Sequence, residues 1–360
     1  MPASATSTEP ARALPADGHA ALVATVQRNC DLTDAHHADG KSLCTYLLGM
    51  REYFRWESGL ALGQAPERVE LSGWIAERES RWELLRDEDA VFSPLPLAGG
   101  VDPFDEGRAN QHLAGLGLVY GAGLGLFGAP LFFLAERRSD QLRDGTRVIV
   151  AGGELARGFV AAPAASRGGT VIVRLDALRR WLWTQVEAAR RGPAGNAFAA
   201  ALRAYGDPAD PATVERMAKG EAETLILHEL GELKAAALLG PEWETMLAAM
   251  QDRRTELLMR AVRDLLADCL VTLPALVERR ADASLNFWLA NFDGLRRVLA
   301  PDLAAACGAD RPRVDHAALD RAARLGRKAW YAVADDLLSN WRRGGNKALQ
   351  ARAAVLSSAG

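Results

Sequence analysis

The chain has 360 residues, 49% of them hydrophobic and 25% charged. That is enough apolar sequence for two ordinary domains, and it excludes disorder over most of the length. The formal net charge is −3, whereas dedicated nucleic-acid binders are usually basic, so nucleic acid is not an expected partner.

In chain order, residues 1–17 are rich in Ala, Pro, Ser and Thr and lack the apolar core of a signal peptide, which predicts a disordered tail. Residues 18–92 read as a helical subdomain. Large apolar residues recur at helical spacing over 41–58, and Trp74, Arg78, Trp82 and Leu85 do so within 67–86. In the first of these helices Cys44, Leu48, Arg51 and Arg55 share one stripe. Two arginines on such a stripe need acidic partners, for which Glu52 and Glu57 are candidates, or an anionic ligand.

Residues 93–175 read as β-rich, after a Pro- and Gly-rich linker over 93–107. The stretch 113–135 carries no charge and is long enough to span a bilayer, with GxxxG spacings at Gly117–Gly121 and Gly121–Gly125. Its pattern nevertheless has period two, a strand signal, so no membrane span is expected. Turn signals at Asp144-Gly145, Gly152-Gly153 and Gly168-Gly169 predict an antiparallel meander of about four to six strands. The glycine face of its first strand implies close approach, by packing before a ligand.

Residues 176–360 read as a helical domain. Asp176 is a candidate N-cap, and helices follow over 213–239 (ended by Gly240-Pro241), 242–272 (stopped or kinked near Pro274), 282–299 and 315–341. The fold class expected is therefore α+β: mostly helical, with a central antiparallel β-meander. Cys30, Cys44, Cys269 and Cys307 form no CxxC pair. That excludes a zinc knuckle and suits reduced thiols in a cytoplasmic protein.

Asn29-Cys30, Asp34, Cys44, Tyr46-Leu47-Leu48 and the run from Met50 through Glu57 (MREYFRWE) resemble the opening of an uncharacterised bacterial family described only as a domain of unknown function. The resemblance implies a family coextensive with the chain, in N- and C-terminal parts. It carries over no activity and no catalytic residue.

One constellation carries chemistry. His228-Glu229-Leu230-Gly231-Glu232 resembles the HExxH helix of zinc metalloproteases, with Glu232 where the second histidine would stand. His228 and Glu232 project from one helix face, and Glu221 lies two turns earlier on the same stripe. Glu229 takes the general-base position. On a second helix Asp264 and Asp268 are four apart, and Asp268 sits in an apolar run where an ionised carboxylate needs a partner. Metal ligands His228, Glu232, Glu221, Asp264 and Asp268, with Glu229 catalytic, would suit a divalent zinc, iron or manganese ion. The reaction would be metal-assisted hydrolysis or redox chemistry. Two rivals stand beside this: a buried polar network, or a solvated face, in a non-catalytic scaffold with a protein partner or a second copy. His36, His37 and His112 are further candidate ligands, of which His36 and His37 fall in an expected loop and carry little weight. The C-terminal cations Arg321, Arg324, Arg327, Lys328, Arg342, Arg343 and Lys347 interleave with Trp330, Tyr331 and Trp341. They suit an amphipathic packing helix better than an RNA-facing one.

Overall fold

A computed structural model describes residues 16–38, 42–87, 91–125, 128–190, 196–208, 210–306 and 314–358. The tail expected over 1–17 lies outside these, except for its last two residues, which begin the first helix. The chain divides into two compact units, Met1–Gln141 with Ile149–Pro163 and Leu142–Val148 with Ala164–Gly360.

The first unit holds helices α1 (Ala16–His37), α2 (Leu43–Glu57), α3 (Arg68–Asp87) and α4 (Glu106–Leu113). Ser42 caps α2 by accepting from the Thr45 N–H at 3.3 Å. The stripe on α2 runs from solvent to core: Leu48 is exposed, whereas Arg55 is buried and donates to Glu52 at 2.7 Å. Arg51, partly exposed, reaches the same carboxylate at 3.1 Å. Glu57 goes elsewhere, to Arg78 and the Trp74 indole. Helix α4 falls inside the segment read as β-rich. Asp105 caps it by accepting from the Arg108 N–H at 3.0 Å. Its Asn110 then brackets Tyr120, donating to the carbonyl at 2.7 Å and accepting from the N–H at 2.9 Å. That contact docks the helix on the strand that follows.

Five strands form a mixed sheet: β1 (Leu118–Leu124), β2 (Pro130–Arg143), β3 (Thr146–Arg157), β4 (Ala164–Arg167) and β5 (Thr170–Arg174), in the order β1-β2-β3-β5-β4. This corrects the expected antiparallel meander. A meander would set β4 beside β3. Instead β5, a β-branched run buried over its last four residues, takes the interior position. The short, half-exposed β4 is left at the edge, where unpaired backbone faces water. The described part of the uncharged stretch is the end of α4, a 3-10 turn (Ala114–Leu116) and the β1–β2 pair, with Gly121 opposite Phe133. A Cβ on Gly121 would stand 2.0 Å from the Phe133 ring, so the close approach is cross-strand packing. Among the described residues no helix is long and apolar enough to cross a membrane.

The second unit contains α5 (Leu175–Ala189), α6 (Ala197–Tyr205), α7 (Pro211–Leu239), α8 (Pro241–Ala248) and α9 (Arg253–Ala267). A π-turn (Asp268–Thr272), α10 (Leu273–Glu278), α11 (Asp282–Ala290), α12 (Gly294–Leu299), α13 (Pro301–Ala306) and α14 (His316–Ser358) follow. Asp176 lies in the first turn of α5, paired with Arg179 and Arg180 instead of capping it. The helix expected over 242–272 is broken into α8 and α9, because Asp252 restarts it by accepting from the Thr255 N–H at 2.9 Å. Apolar side chains of α7, α9, α10, α11 and α14 make the core here, among them Leu227, Leu265, Leu273, Leu285 and Leu319.

Candidate metal centre

Asp210 caps α7 by accepting from the Ala212 N–H at 2.9 Å, with Pro211 leading the helix. Gly240, at φ +80°, ends it. Midway, Gly231 lets α9 come close: a Cβ there would stand 2.6 Å from the Ala267 carbonyl oxygen, a backbone atom that cannot swing aside. Directly after Ala267 the helix widens into the π-turn, where the Leu273 N–H bonds to the Asp268 carbonyl. Pro274 has no N–H to offer residue 270, which accounts for the altered ladder at this point. Such turns cluster at functional sites.

Close approach and widened turn bring four sequence-predicted residues together. His228 Nδ1 lies 2.8 Å from Asp268 Oδ1 and its Nε2 lies 3.3 Å from Glu232 Oε1. Ligand atoms of His228, Glu232 and Asp264 fall within 4.8 Å of one another. These three side chains are partly exposed, whereas Asp268 is fully buried. Two arginines that no spacing in the sequence marks complete the cluster. Arg263 donates to Glu232 Oε2 at 2.8 Å and stands 3.8 Å from Asp264. Arg296 stands 3.6 Å from Asp268 Oδ2. Asp264 Oδ1 and Asp268 Oδ2 are buried and make no hydrogen bond among the described residues.

Glu221 is not part of this group. Seven residues of helix span about 10.5 Å, so a shared stripe does not put two side chains on one ion. Glu221 is instead satisfied by Tyr205 (2.7 Å), Thr224 (2.6 Å) and Ser284 (3.2 Å). Glu229 is not among the triad's ligand residues; it interacts with Ser166 of β4 and stays within reach of the cluster, where burial and the Glu232 charge raise its pKa to about 7. His36 and His37 end α1 and His112 lies in α4. None belongs to a metal-competent group among the described residues.

Burial alone would discharge the imidazole, but Asp268 and Glu232 outweigh it and hold the His228 pKa well above the usual value. Burial likewise works against ionised Glu232, yet His228 and Arg263 keep its pKa below the ordinary carboxylate range. Asp264 has less help, and burial with the neighbouring Glu232 charge raises it. Glu232, Asp264 and Asp268 already outnumber the two guanidiniums, and Glu244, 3.7 Å from Arg263, adds a fourth carboxylate to the cluster.

Fold and site together define an α+β protein whose helical part carries a half-buried histidine–carboxylate cluster at a π-turn. The chain belongs to the family of unknown function DUF6866: the family's N-terminal domain matches residues 21–174 and its C-terminal domain residues 179–359. No curated protein and no solved structure matches it.

Gly231→Ala tests how the cluster is assembled. Forcing α7 off the Ala267 carbonyl should cost about 1–3 kcal/mol as overpacking and part His228 from Asp268. Denaturant melts read the first effect, and the His228 imidazole NMR shifts read the second. An unchanged melt with unchanged shifts would show that the approach is not tight.

Proposed function

We propose that the second unit binds a divalent cation through His228 Nε2, Glu232 and Asp264, and that this is a catalytic type of centre. One observation carries the reading. His228 is hydrogen-bonded at Nδ1 to a fully buried carboxylate, while Nε2 stands 3.3 Å from Glu232 and the Asp264 carboxylate lies within 4.8 Å of both residues' ligand atoms. That is the carboxylate–histidine arrangement that fixes the tautomer of a metal-ligating imidazole. Asp268 is therefore assigned the orienting role and not a ligand position. The 3.3 Å between His228 Nε2 and Glu232 Oε1 is long for a hydrogen bond. It is close to the roughly 3.4 Å that separates two donors on one tetrahedral ion with 2.0–2.2 Å bonds. The donor set suits zinc, iron or manganese. Three protein ligands leave a position open for water or substrate, as in catalytic sites and unlike closed structural ones.

The chemistry would be hydrolysis by activated water, with Glu229 next to His228 taking the proton, or redox turnover at iron or manganese. The site-bearing part would be the helical domain from residue 176 onward. A cytoplasmic setting fits Cys30, Cys44 and Cys269, which form no disulfide among the described residues.

The rival is a polar network that fastens α7 to α9 in a non-catalytic protein. Arg263 and Arg296 favour it, since they already face Glu232 and Asp268. Elemental analysis of the purified protein, followed by calorimetric titration of chelator-treated protein with Zn²⁺ and Mn²⁺, separates the two. About one ion per chain is expected, with affinity falling at least about 100-fold in His228→Ala. Equal, weak binding by both proteins would leave the polar network.

A further inference from the structure

The open position of this centre has neighbours that select its ligand. A dication at His228, Glu232 and Asp264 would share its surroundings with Asp268 and with Glu244, which stands 3.7 Å from Arg263. Two guanidiniums stand beside the site with donors to spare. The Arg296 side chain is 21% exposed, so it is reachable, and its Nη1 stands 3.6 Å from Asp268 Oδ2, beyond hydrogen-bond length. Its other terminal nitrogen is anchored on the Asn291 carbonyl, and the guanidinium lies 5.8 Å from the Phe292 ring centroid. Arg263 is committed to Glu232, but its Nε is buried and makes no hydrogen bond among the described residues. A metal ion with a planar, forked guanidinium beside it is how proteins grip oxyanions.

We infer that the ligand completing the centre is an oxyanion, a phosphoryl or carboxylate group, received by Arg296 with Arg263 at its side; this rests on the metal reading above. The alternative role for Arg296 is to neutralise Asp268 and nothing more. The two roles differ in what its removal does. A neutralising arginine, once removed, leaves anion binding unchanged. An anion-receiving arginine, once removed, weakens anion binding while the ligands of the metal stay in place.

The experiment titrates full-length protein with Mn²⁺, then titrates the Mn²⁺-loaded protein with inorganic phosphate and with malonate. Whichever binds more tightly distinguishes a phosphoryl from a carboxylate ligand. Arg296→Gln should weaken that anion about 10–100-fold, the loss of a charged hydrogen-bond pair, with Mn²⁺ affinity unchanged or tighter. Arg296→Lys keeps the charge without the fork. It should fall between the two, and it serves if the glutamine variant does not fold. Mn²⁺ binding with no anion binding, or with anion affinity equal in wild type and variants, overturns this inference alone. Absence of Mn²⁺ binding in the first titration overturns the metal reading and this inference with it.

Discussion

Arg78→Ala should destabilise the first unit by about 3–5 kcal/mol, the cost of stripping the partner from a buried charge. Asp31, on α1, has no exposed surface. Arg78 Nη1 donates to its Oδ1 at 3.0 Å and Gln27 to the same oxygen at 3.0 Å. The Arg78 guanidinium also bonds Glu57 and lies 5.0 Å from the Tyr53 and 4.9 Å from the Trp74 ring centroids. Its removal loses cation–π contact as well as charge. Arg81 pairs with Asp31 Oδ2 at 2.8 Å, but its side chain is 53% exposed, so Arg81→Ala should cost about 1 kcal/mol or less. Thermal melts should therefore separate the two variants widely, with Arg78→Ala lower by something like 10 °C. Similar melting temperatures for both would mean that Arg81 carries the Asp31 charge as much as Arg78 does.

This network shows why part of the molecule was not legible in the sequence. Asp31 and Asp34 look like solvated acids near a helix end. Their burial follows from Arg78 and Phe159, far along the chain; spacing marks Arg78 as part of a stripe but does not say which acid it faces. The helix stops, by contrast, could be read from local chemistry: Gly240 supplies a positive φ and Pro241 cannot continue a ladder. His228 and Glu232 sharing a face follows from helix geometry alone. What Asp264 and Asp268 face needs the second helix, and the depth of contact needs Gly231, whose purpose is invisible until the Ala267 carbonyl is set against it. Strand order was not readable because it is decided by competition for the interior. Thr170–Arg174 is more apolar than Ala164–Arg167, yet nothing local says which of them pairs with β3. Glu221 was misassigned by treating a stripe as a point, whereas two helical turns separate it from His228.

Asp34 gives that first-unit network a pH dependence of definite sign. Its Oδ2 accepts the Phe159 N–H at 2.8 Å, and a Cβ on Gly158 would stand 3.3 Å from its Oδ1, so the carboxyl is pressed against backbone. Burial pushes its pKa to about 8; the Phe159 bond pulls down, the Asp31 charge pushes up, and Arg78 and Arg157 pull down. An unfolded aspartate loses its proton near pH 3.8. Between about pH 4 and pH 8 the native protein therefore holds a proton that the unfolded chain has released. The stability contribution is complete below pH 4 and is lost as pH rises through 8, at up to about 1.4 kcal/mol per pH unit. Asp31, also raised by burial, adds in the same direction. Asp34→Asn keeps an acceptor for the Phe159 N–H and removes the titration. Urea unfolding of both proteins at several pH values from 5 to 8 should show the wild type losing stability faster, by close to one proton's slope. Groups elsewhere that titrate in this range, Glu229 among them, are common to both proteins and cancel in the difference. Parallel stability curves would show that Asp34 is ionised in the native state and that Arg78 and Arg157 outweigh its burial.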